Sequence, residues 1–592
     1  MGSQFKRTTL ASYLDDFLSR GNETAFAHRQ TLRTRRWSYT EIAQTAFRFA
    51  RELEARRIEK GDRVVFWARN SPEWVSAFLG CLVRGAIVVP VDSQFEPAFL
   101  RRVQERVQAK LALCDAETSD SIDQILPLLA LDHLTSQIAQ HSAKTYSATC
   151  VSPDDVLEIV FTSGTTAEPK GVAITHRNLL ANLAPLEHEI RRYLRWERLV
   201  HPIRFLNLVP LSHLFGQFMG IFVPQLIGGA VFLQESLLPS PIISLVKREH
   251  ISVIVCVPRT LEILREKIER ECESLQNLDR AAQSHFIRRW WRFRQVHQLF
   301  GWKFWAFVSG GAKLNTDTEQ FWDWLGFAVI QGYGMTETAA LVSLNHPFKS
   351  ARGSIGKALP GQKVKLAEDG EILVYGENVS PGYWNGDQQR RKAEGWFHTG
   401  DAGEIDAAGN LYFKGRLKEV IVTSAGMNIY PEDIELVLNR QPEIKASAVV
   451  EIEGSRGGVE ALAVLILRDD TTSAVAAIER ANNSLAPHQR VRHWAIWPET
   501  DFPRTPTQKV RKQIVASLMK DSLAGTSFSS SKTLEKLISQ VSGDAADKLD
   551  SSARLGPDLK LDSLGRVELL SALEDWYRVE LDEAVFTEET TL

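Results

Sequence analysis

The stretch that decides the fold runs Phe161-Thr162-Ser163-Gly164-Thr165-Thr166-Ala167-Glu168-Pro169-Lys170-Gly171-Val172. Ahead of it, Leu157-Glu158-Ile159-Val160 is short and largely apolar, a strand candidate. Behind it, Val172–Asn178 leads into the helix-like run Leu179–Leu186. Glycines, hydroxyl residues and one lysine thus fall between a strand and a helix. Such a loop can turn its backbone N–H groups and hydroxyls toward phosphate oxygens, with Lys170 supplying charge. It is not a Walker loop, because Pro169-Lys170 stands where Gly-Lys-Ser/Thr would be needed. A short Gly/Ser/Thr loop is equally well read as a solvated turn, so the rest of the chain has to decide.

Outward from this loop, strand and helix signals alternate. Ile58–Trp67 is a turn feeding a buried strand, Pro72–Val83 a helix, and Ala86–Val91 a strand. The alternation returns at Val151–Phe161, Arg204–Val209, Ala230–Leu233 and Ile251–Val257, which is the pattern of an α/β fold with parallel strands. Leu264–Trp302 interrupts it with a long, charged, helical stretch. Near Gly415-Arg416 the elements shorten: Pro431–Arg440 and Val475–Leu485 read as helices, Val449–Ile452 and Leu462–Arg468 as strands. That predicts a compact α+β domain of ordinary size. Ser522–Ser531 is small and polar, a flexible linker. The expected domains are therefore 1–415, 416–521, a linker at 522–531, and a last domain at 532–592.

The 592 residues exceed a single hydrophobic core. Hydrophobic residues make up 44% and charged ones 24%, and the net charge is −3, so nothing global points to nucleic acid. Five scattered cysteines without a C-x-x-C pair argue for a reducing compartment and against zinc. The N-terminus lacks a signal-peptide core, and Phe218–Leu233 is broken by Pro224 and by Gly228-Gly229, so no membrane span is expected and the cytoplasm is the expected location. The charge is unevenly spread. Lys532–Leu592 carries 14 Asp+Glu against 7 Lys+Arg, −7, which leaves +4 on the first 531 residues. An acidic domain tethered to a slightly basic body suggests electrostatic docking.

The loop, together with motifs that follow it in order, resembles the adenylate-forming superfamily of acyl-CoA synthetases, luciferases and adenylation domains. The resemblance spans residues 1 to about 515. It implies a large α/β domain, a small mobile α+β domain, and ATP bound by Thr162, Ser163, Gly164, Thr165, Thr166 and Lys170. Val209-Pro210-Leu211-Ser212-His213-Leu214-Phe215-Gly216 resembles the motif lining the acyl pocket, and His213 the residue gating the thiol channel. A histidine at an apolar strand end is by itself a structural residue; the motif gives it the further role. Ser309-Gly310-Gly311-Ala312 resembles the adenine-binding turn. In Gln331-Gly332-Tyr333-Gly334-Met335-Thr336-Glu337-Thr338, the resemblance packs Tyr333 on adenine, puts Thr336 on the α-phosphate and gives Glu337 the Mg²⁺, a hard cation suited to carboxylate. Asp401 resembles the ribose ligand, Arg416 a second nucleotide contact, and Lys418 the hinge. Ser424–Asn428, with Gly426, resembles the thiol-tunnel loop. Pro503–Val510 resembles the catalytic-lysine loop with Lys509, but Gln508 stands where the family has glycine, which restricts the backbone there.

The last domain contains Leu559-Lys560-Leu561-Asp562-Ser563-Leu564, which resembles the attachment site of acyl carrier proteins, all-α helical bundles modified by 4′-phosphopantetheine at the serine. Leu564, Val567, Leu570 and Leu573 recur at helical spacing, and a phosphate ester is favoured at a helix N-terminus. The stretch ends at Leu592 before that family's final helix, so the expectation is either a longer protein cut short or an incomplete carrier. Gly216 occupies the position where amino-acid-activating domains carry an Asp, which argues against an α-amino acid. The pocket strand and Leu264–Trp302 look like long-chain fatty acyl ligases. The basic aromatic run His285–Arg294 is either a membrane- or carrier-contacting helix or an ordinary amphipathic one. The resemblance implies a fatty acyl ligase that loads its own carrier. The alternatives are a ligase acting on free coenzyme A and a non-catalytic carrier scaffold. Implied partners are a fatty acid, a phosphopantetheinyl transferase and a downstream acyltransferase or synthase.

Overall fold

The computed structural model describes residues 7–30, 33–95, 97–116, 118–119, 126–147, 149–162, 169–198, 200–234, 236–272, 292–347, 351–385, 395–422, 428–453, 459–468, 474–485, 489–505, 508–523, 554 and 570. They belong to two compact units. The first draws on Met1–Lys365, Leu373–His398 and Ala407–Leu411, the second on Leu366–Ile372, Thr399–Asp406 and Tyr412–Leu592.

Two sheets build the first unit. One is seven-stranded among the described residues, in the order Gly382–Tyr383, Lys170–Thr175, Val156–Thr162, Ile87–Val91, Arg63–Trp67, Leu111–Cys114, Leu128–Ala130. Its central strands pair in parallel and are wholly or almost wholly buried, which is why they read as unbroken apolar runs. The other sheet carries the parallel strands Ala328–Tyr333, Ala306–Ser309, Val253–Cys256, Arg204–Asn207 and Ala230–Leu233 side by side. Thr24–Gln30 continues the parallel run and Arg33–Ser38 folds back on it as an antiparallel edge.

Helix ends follow local chemistry. Ser38 and Glu41 form a capping box at the start of Tyr39–Ala55. Ser71 accepts from the Trp74 N–H at the head of Pro72–Arg84, which has proline in its first turn and ends on Gly85 in the left-handed region. These two helices pack on one another, and their apolar faces join both sheets in a core that includes Trp74, Phe78 and Phe222. The Phe218–Leu233 run is buried inside this unit, and no described helix is long and apolar enough to cross a membrane.

In the second unit, Ile444–Glu453, Val459–Leu467 and His493–Ile496 form a three-stranded sheet. Helices Pro431–Leu438 and Ala474–Ser484 pack on one face around Ile434 and Ile478, and Lys512–Leu523 on the other around Val515 and Met519. This is the α+β character expected after residue 415.

One local expectation is overturned. The glycine-rich stretch does not run from a strand into a helix. Lys170–Thr175 is a strand, antiparallel to Val156–Thr162 with Thr162 opposite Lys170, and the helix begins only at His176. No helix N-terminus therefore stands at the end of the loop. Val172-Ala173-Ile174 is an unbroken apolar run, buried throughout, and belongs to this strand.

Candidate active site

Parallel strands of the first unit deliver the expected motifs at their carboxyl ends, where open α/β sheets place ligand sites. Arg204–Asn207 leads to His213, Ala306–Ser309 to Gly310-Gly311-Ala312, and Ala328–Tyr333 supplies Tyr333 itself and then Gly334, Thr336 and Glu337. Gly310 lies under Phe215 of the pocket motif. A Cβ at Gly310 would stand 2.9 Å from the Phe215 ring, so the two motifs touch. A Cβ at Gly216 would run into the carbonyl oxygen of Pro210. Gly311 has φ +90 with open space around it, a position open to a flat ligand.

After Tyr333 the chain makes a tight 3₁₀ turn, Thr336–Thr338. Thr338 Oγ1 accepts from the Met335 N–H at 3.1 Å. Ala339 and Ala340 then adopt φ of +50 and +80, an uncommon region for residues bearing a Cβ. Asn182, fully buried on the helix His176–Glu197, donates to the carbonyls of Thr338 at 3.2 Å and Ala339 at 2.6 Å, and Gln362 donates to Asn182. Gly334 is needed because a Cβ there would strike the Ala340 carbonyl. The turn presents Thr336 and Glu337 partly exposed. Glu337 Oε1 accepts from the Tyr383 hydroxyl at 3.0 Å. Tyr383 lies on the short strand paired with Lys170–Thr175, so it links the acid to the strand that follows the glycine-rich loop. A partly exposed carboxylate with a single hydroxyl donor among the described residues fits a hard divalent cation.

His213 has a partner that sequence reading missed. Its Nε2 is buried, makes no hydrogen bond, and lies 3.5 Å from Oδ2 of Asp92. Asp92 is itself buried; its Oδ2 accepts from Ser212 Oγ at 3.1 Å and its Oδ1 from the Gln94 N–H at 3.0 Å. Burial pushes the Asp92 carboxyl up, but His213, the Gln94 N–H and the Ser212 hydroxyl together hold it below the usual range. Nearby, Glu158 is wholly buried on Val156–Thr162 and accepts from Gln217 Nε2 at 2.9 Å. Burial pushes its carboxyl up to about 8.

Within the second unit, Asp401, Arg416, Lys418 and Lys509 come together. Arg416 Nε is 2.8 Å from Oδ1 of the buried Asp401. The aspartate is set by its own loop: its N–H donates to Thr399 Oγ1, Gly400 has φ +73, and the Gly400 N–H donates to Glu371. Lys418 lies in the 3₁₀ turn Leu417–Glu419. Lys512 Nζ pairs with Glu435 at 2.8 Å and reaches Glu419 at 3.7 Å, tying that turn to the helix after Lys509.

Lys509 sits at the closing side of a tight turn. Thr505 N–H donates to the Lys509 carbonyl at 2.8 Å, Lys509 N–H to Thr505 Oγ1 at 3.1 Å, and Gln508 N–H to the Thr505 carbonyl at 2.7 Å. Gln508 has φ +63, so the place where the resemblance expects glycine has kept glycine's conformation. Burial of the Lys509 ammonium, then the cations Arg416 and Lys418, outweigh Asp401 and Glu419 and hold its pKa down at about 8. The side chain keeps an exposed surface, so burial claims a limited share and the like charges are the firmer cause.

Lys170 is exposed at the start of its strand, and Thr162 ends the strand opposite. Ser163, Gly164, Thr165, Thr166, Gly426 and Ser563 lie outside the described residues, as do most of His285–Arg294 and all but two residues, Arg554 and Leu570, of the last domain. Asp92, Asn182 and Tyr383 contact motif residues and are not marked by the sequence. They stand tens of positions or more from the motif residues they contact, and only Asn182, about two turns into the helix His176–Glu197, lies near a motif in sequence.

The family model described as AMP-binding enzyme matches residues 18–384, and that described as phosphopantetheine attachment site matches residues 532–592. A long-chain-fatty-acid–CoA ligase of Mycobacterium bovis, FadD15, is 28% identical over 537 residues, covering 78% of this chain and 87% of that protein. A feruloyl-CoA synthase of an Amycolatopsis species is 27% identical over 460 residues, covering 75% and 86%. Among solved structures, ATP-bound MatB from Rhodopseudomonas palustris superimposes with a TM-score of 0.72 at 26% identity, covering 87% of this chain and 99% of that one.

Proposed function

Because the chain belongs to the family of AMP-binding enzymes, we propose that it activates a long-chain fatty acid with ATP and passes the acyl group to a phosphopantetheine thiol on its own Ser563. The observation that carries the reading is the presence, on one chain, of the AMP-binding match and the phosphopantetheine-site match behind it. The acid class is supported by the similarity to FadD15 and by Gly216 in the pocket motif.

In the first step a carboxylate oxygen bonds the α-phosphorus of ATP and the bond to pyrophosphate breaks. The second unit contributes Lys509 and Arg416, whose charges oppose the charge growing on the phosphate oxygens, while Asp401 accepts from ribose hydroxyls. The first unit contributes the Thr336 hydroxyl for the α-phosphate, Lys170 for the outer phosphates, and the 310–312 turn with Tyr333 for adenine. Glu337 would hold Mg²⁺, which when bound supplies further charge neutralisation on phosphate. In the second step the thiol sulfur bonds the acyl carbon, the bond to AMP breaks, and the thiol proton is released. Lys418 acts as the hinge for rearrangement between the two steps, and His213 and Gly426 line the route of the thiol. The same reading puts the protein in the cytoplasm, served by a phosphopantetheinyl transferase and a downstream acyltransferase or synthase. A basic aromatic contact at His285–Arg294 with lipid belongs to it as well.

The test is intact mass after treatment with a phosphopantetheinyl transferase, coenzyme A, ATP, Mg²⁺ and palmitate. A gain equal to the acyl group, absent in Ser563→Ala, is expected. The second reading, transfer to free coenzyme A, is favoured by the names of the similar ligases. Rapid acylation of coenzyme A with the holo protein left unacylated would replace the first reading with it. Absence of pyrophosphate release with any acid would leave only a carrier scaffold, and release with ferulate but not palmitate would change the acid class.

A further inference from the structure

We propose that Asp92 is the positioning residue for His213 in the thiol-transfer step, holding the ring by Nε2 and leaving its other nitrogen toward the acceptor. The inference rests on the two-step reading above and adds to it a residue that no sequence motif marks.

The argument begins with the carboxylate. Asp92 is 4% exposed, and among the described residues no Lys or Arg pairs with it. A buried carboxylate without a cationic partner is costly unless hydrogen bonds and a charge compensate it. The Gln94 N–H and the Ser212 hydroxyl satisfy one oxygen each as neutral donors, and neither contact calls for a full negative charge. The one neighbour that makes the charge useful is the imidazole of His213. The residue is also rigidly held, since its carbonyl accepts from the buried Trp67 Nε1 at 3.0 Å.

The ring argues the same way from its own side. Its Nε2 is buried and has no other partner, so Asp92 is the only described group placed to satisfy it. At 3.5 Å the contact is long for a hydrogen bond, and such contacts shorten when substrate fills a site. The ring keeps 30% of its surface exposed, and no described residue hydrogen-bonds its other nitrogen. It stands two residues before Phe215, whose ring abuts Gly310 of the nucleotide turn, so the held imidazole lies where acyl pocket and nucleotide site adjoin. A base-orienter pair of this form fixes which ring nitrogen carries the proton and which way the ring faces.

The experiment compares wild type with Asp92→Asn, His213→Ala and the double variant. It follows pyrophosphate release with palmitate, acyl transfer from supplied palmitoyl-AMP to pantetheine, and the ¹⁵N signals of the His213 ring in the full chain. In Asp92→Asn, transfer kcat should fall about tenfold with KM for pantetheine within about twofold, because orientation rather than binding is lost. Pyrophosphate release should stay within about twofold, and the double variant should be no slower than His213→Ala. The ring signals should shift. Unchanged transfer, an equal fall of both half-reactions, or losses that multiply in the double variant would overturn the assignment. Unchanged ring signals would overturn the pairing alone. Wild type that fails to transfer from palmitoyl-AMP would overturn the two-step reading together with it.

Discussion

Lys509 carries the plainest consequence at the scale of single residues. Its pKa, held down to about 8, means that it loses its proton just above neutrality rather than above 10. Adenylation should therefore fall on the alkaline side as pH rises through about 8. Lys509→Arg, which stays charged, should remove that limb while lowering the maximum. Lys509→Ala should slow pyrophosphate release about a hundredfold, on the order of 3 kcal/mol, and leave transfer from supplied acyl-AMP largely intact. Rates of the two half-reactions across pH 6–10, for wild type and both variants, check these expectations. Gln508 beside it was legible only as a departure. The sequence reading saw a restricted residue where glycine is usual, and the φ of +63 is what that restriction has to accommodate. A Cβ in the left-handed region costs about 1–2 kcal/mol, partly offset by the entropy a glycine loses on folding. Gln508→Gly should thus stabilise the turn by about 0.5–1 kcal/mol, read as slower hydrogen exchange of the Lys509 and Gln508 amides, which the turn's bonds protect. Exchange that speeds up would mean the side chain of Gln508 holds the loop.

Between residues and the whole stand the turn Thr336–Ala340 and the strand Val156–Thr162. The motif residues of the turn could be read from the chain, because the family resemblance supplied their roles. The strain after them could not, since nothing in Ala339-Ala340 announces a left-handed backbone. What holds that backbone is a buried amide from another helix. Asn182→Leu should leave two carbonyls short of a donor, a cost of about 1–3 kcal/mol for each one fully lost, and should slow Mg²⁺-dependent adenylation. Adding Ala339→Gly, which accepts φ +50 without strain, should recover part of the loss; pyrophosphate release of the single and double variants decides. The strand was read correctly as apolar, and its one acid, Glu158, is wholly buried within it. Glu158 has a folded pKa of about 8, above its ordinary value near 4.5. Its protonated form is favoured by the fold, so its contribution is full below the ordinary value and is lost as pH rises through about 8. Glu158→Gln should melt close to wild type at pH 5 and several degrees higher at pH 9, in thermal scans at both values. The strand missed between the loop and the helix has a local origin: six residues are too few for periodicity to separate strand from lead-in.

At the scale of the whole molecule, the alternation of elements along the chain foretold a large α/β unit with parallel strands and a later α+β unit, because parallel strands buried on both faces announce themselves as apolar runs; that the strands divide between two sheets was not legible. Where each motif meets its supporting residues was not legible, since those contacts span tens of positions to more than a hundred and fifty, as with Tyr383 to Glu337, Asp92 to His213 and Asn182 to Ala339. The uneven charge is legible and makes its own prediction. With −7 on residues 532–592 and +4 on the remainder, self-loading of Ser563 should slow by about threefold between 50 and 300 mM salt, whereas loading of free pantetheine, which is uncharged, should not. Equal salt dependence of the two acceptors would remove electrostatic docking from the account. Gly216 bears on something larger than this chain, the routes by which its substrate class can drift. The acid that amino-acid-activating relatives of this superfamily carry at the corresponding place needs a Cβ, and the Pro210 carbonyl occupies the space where that atom would be. An aspartate at 216 has to be preceded by a shift of the 209–211 backbone, and until that shift occurs each intermediate sequence loses the close packing of Gly216 on Pro210 without gaining a new ligand. Change of acid should therefore come first by remodelling the far walls of the pocket, so that neighbouring specificities in sequence space are other acids without an amine.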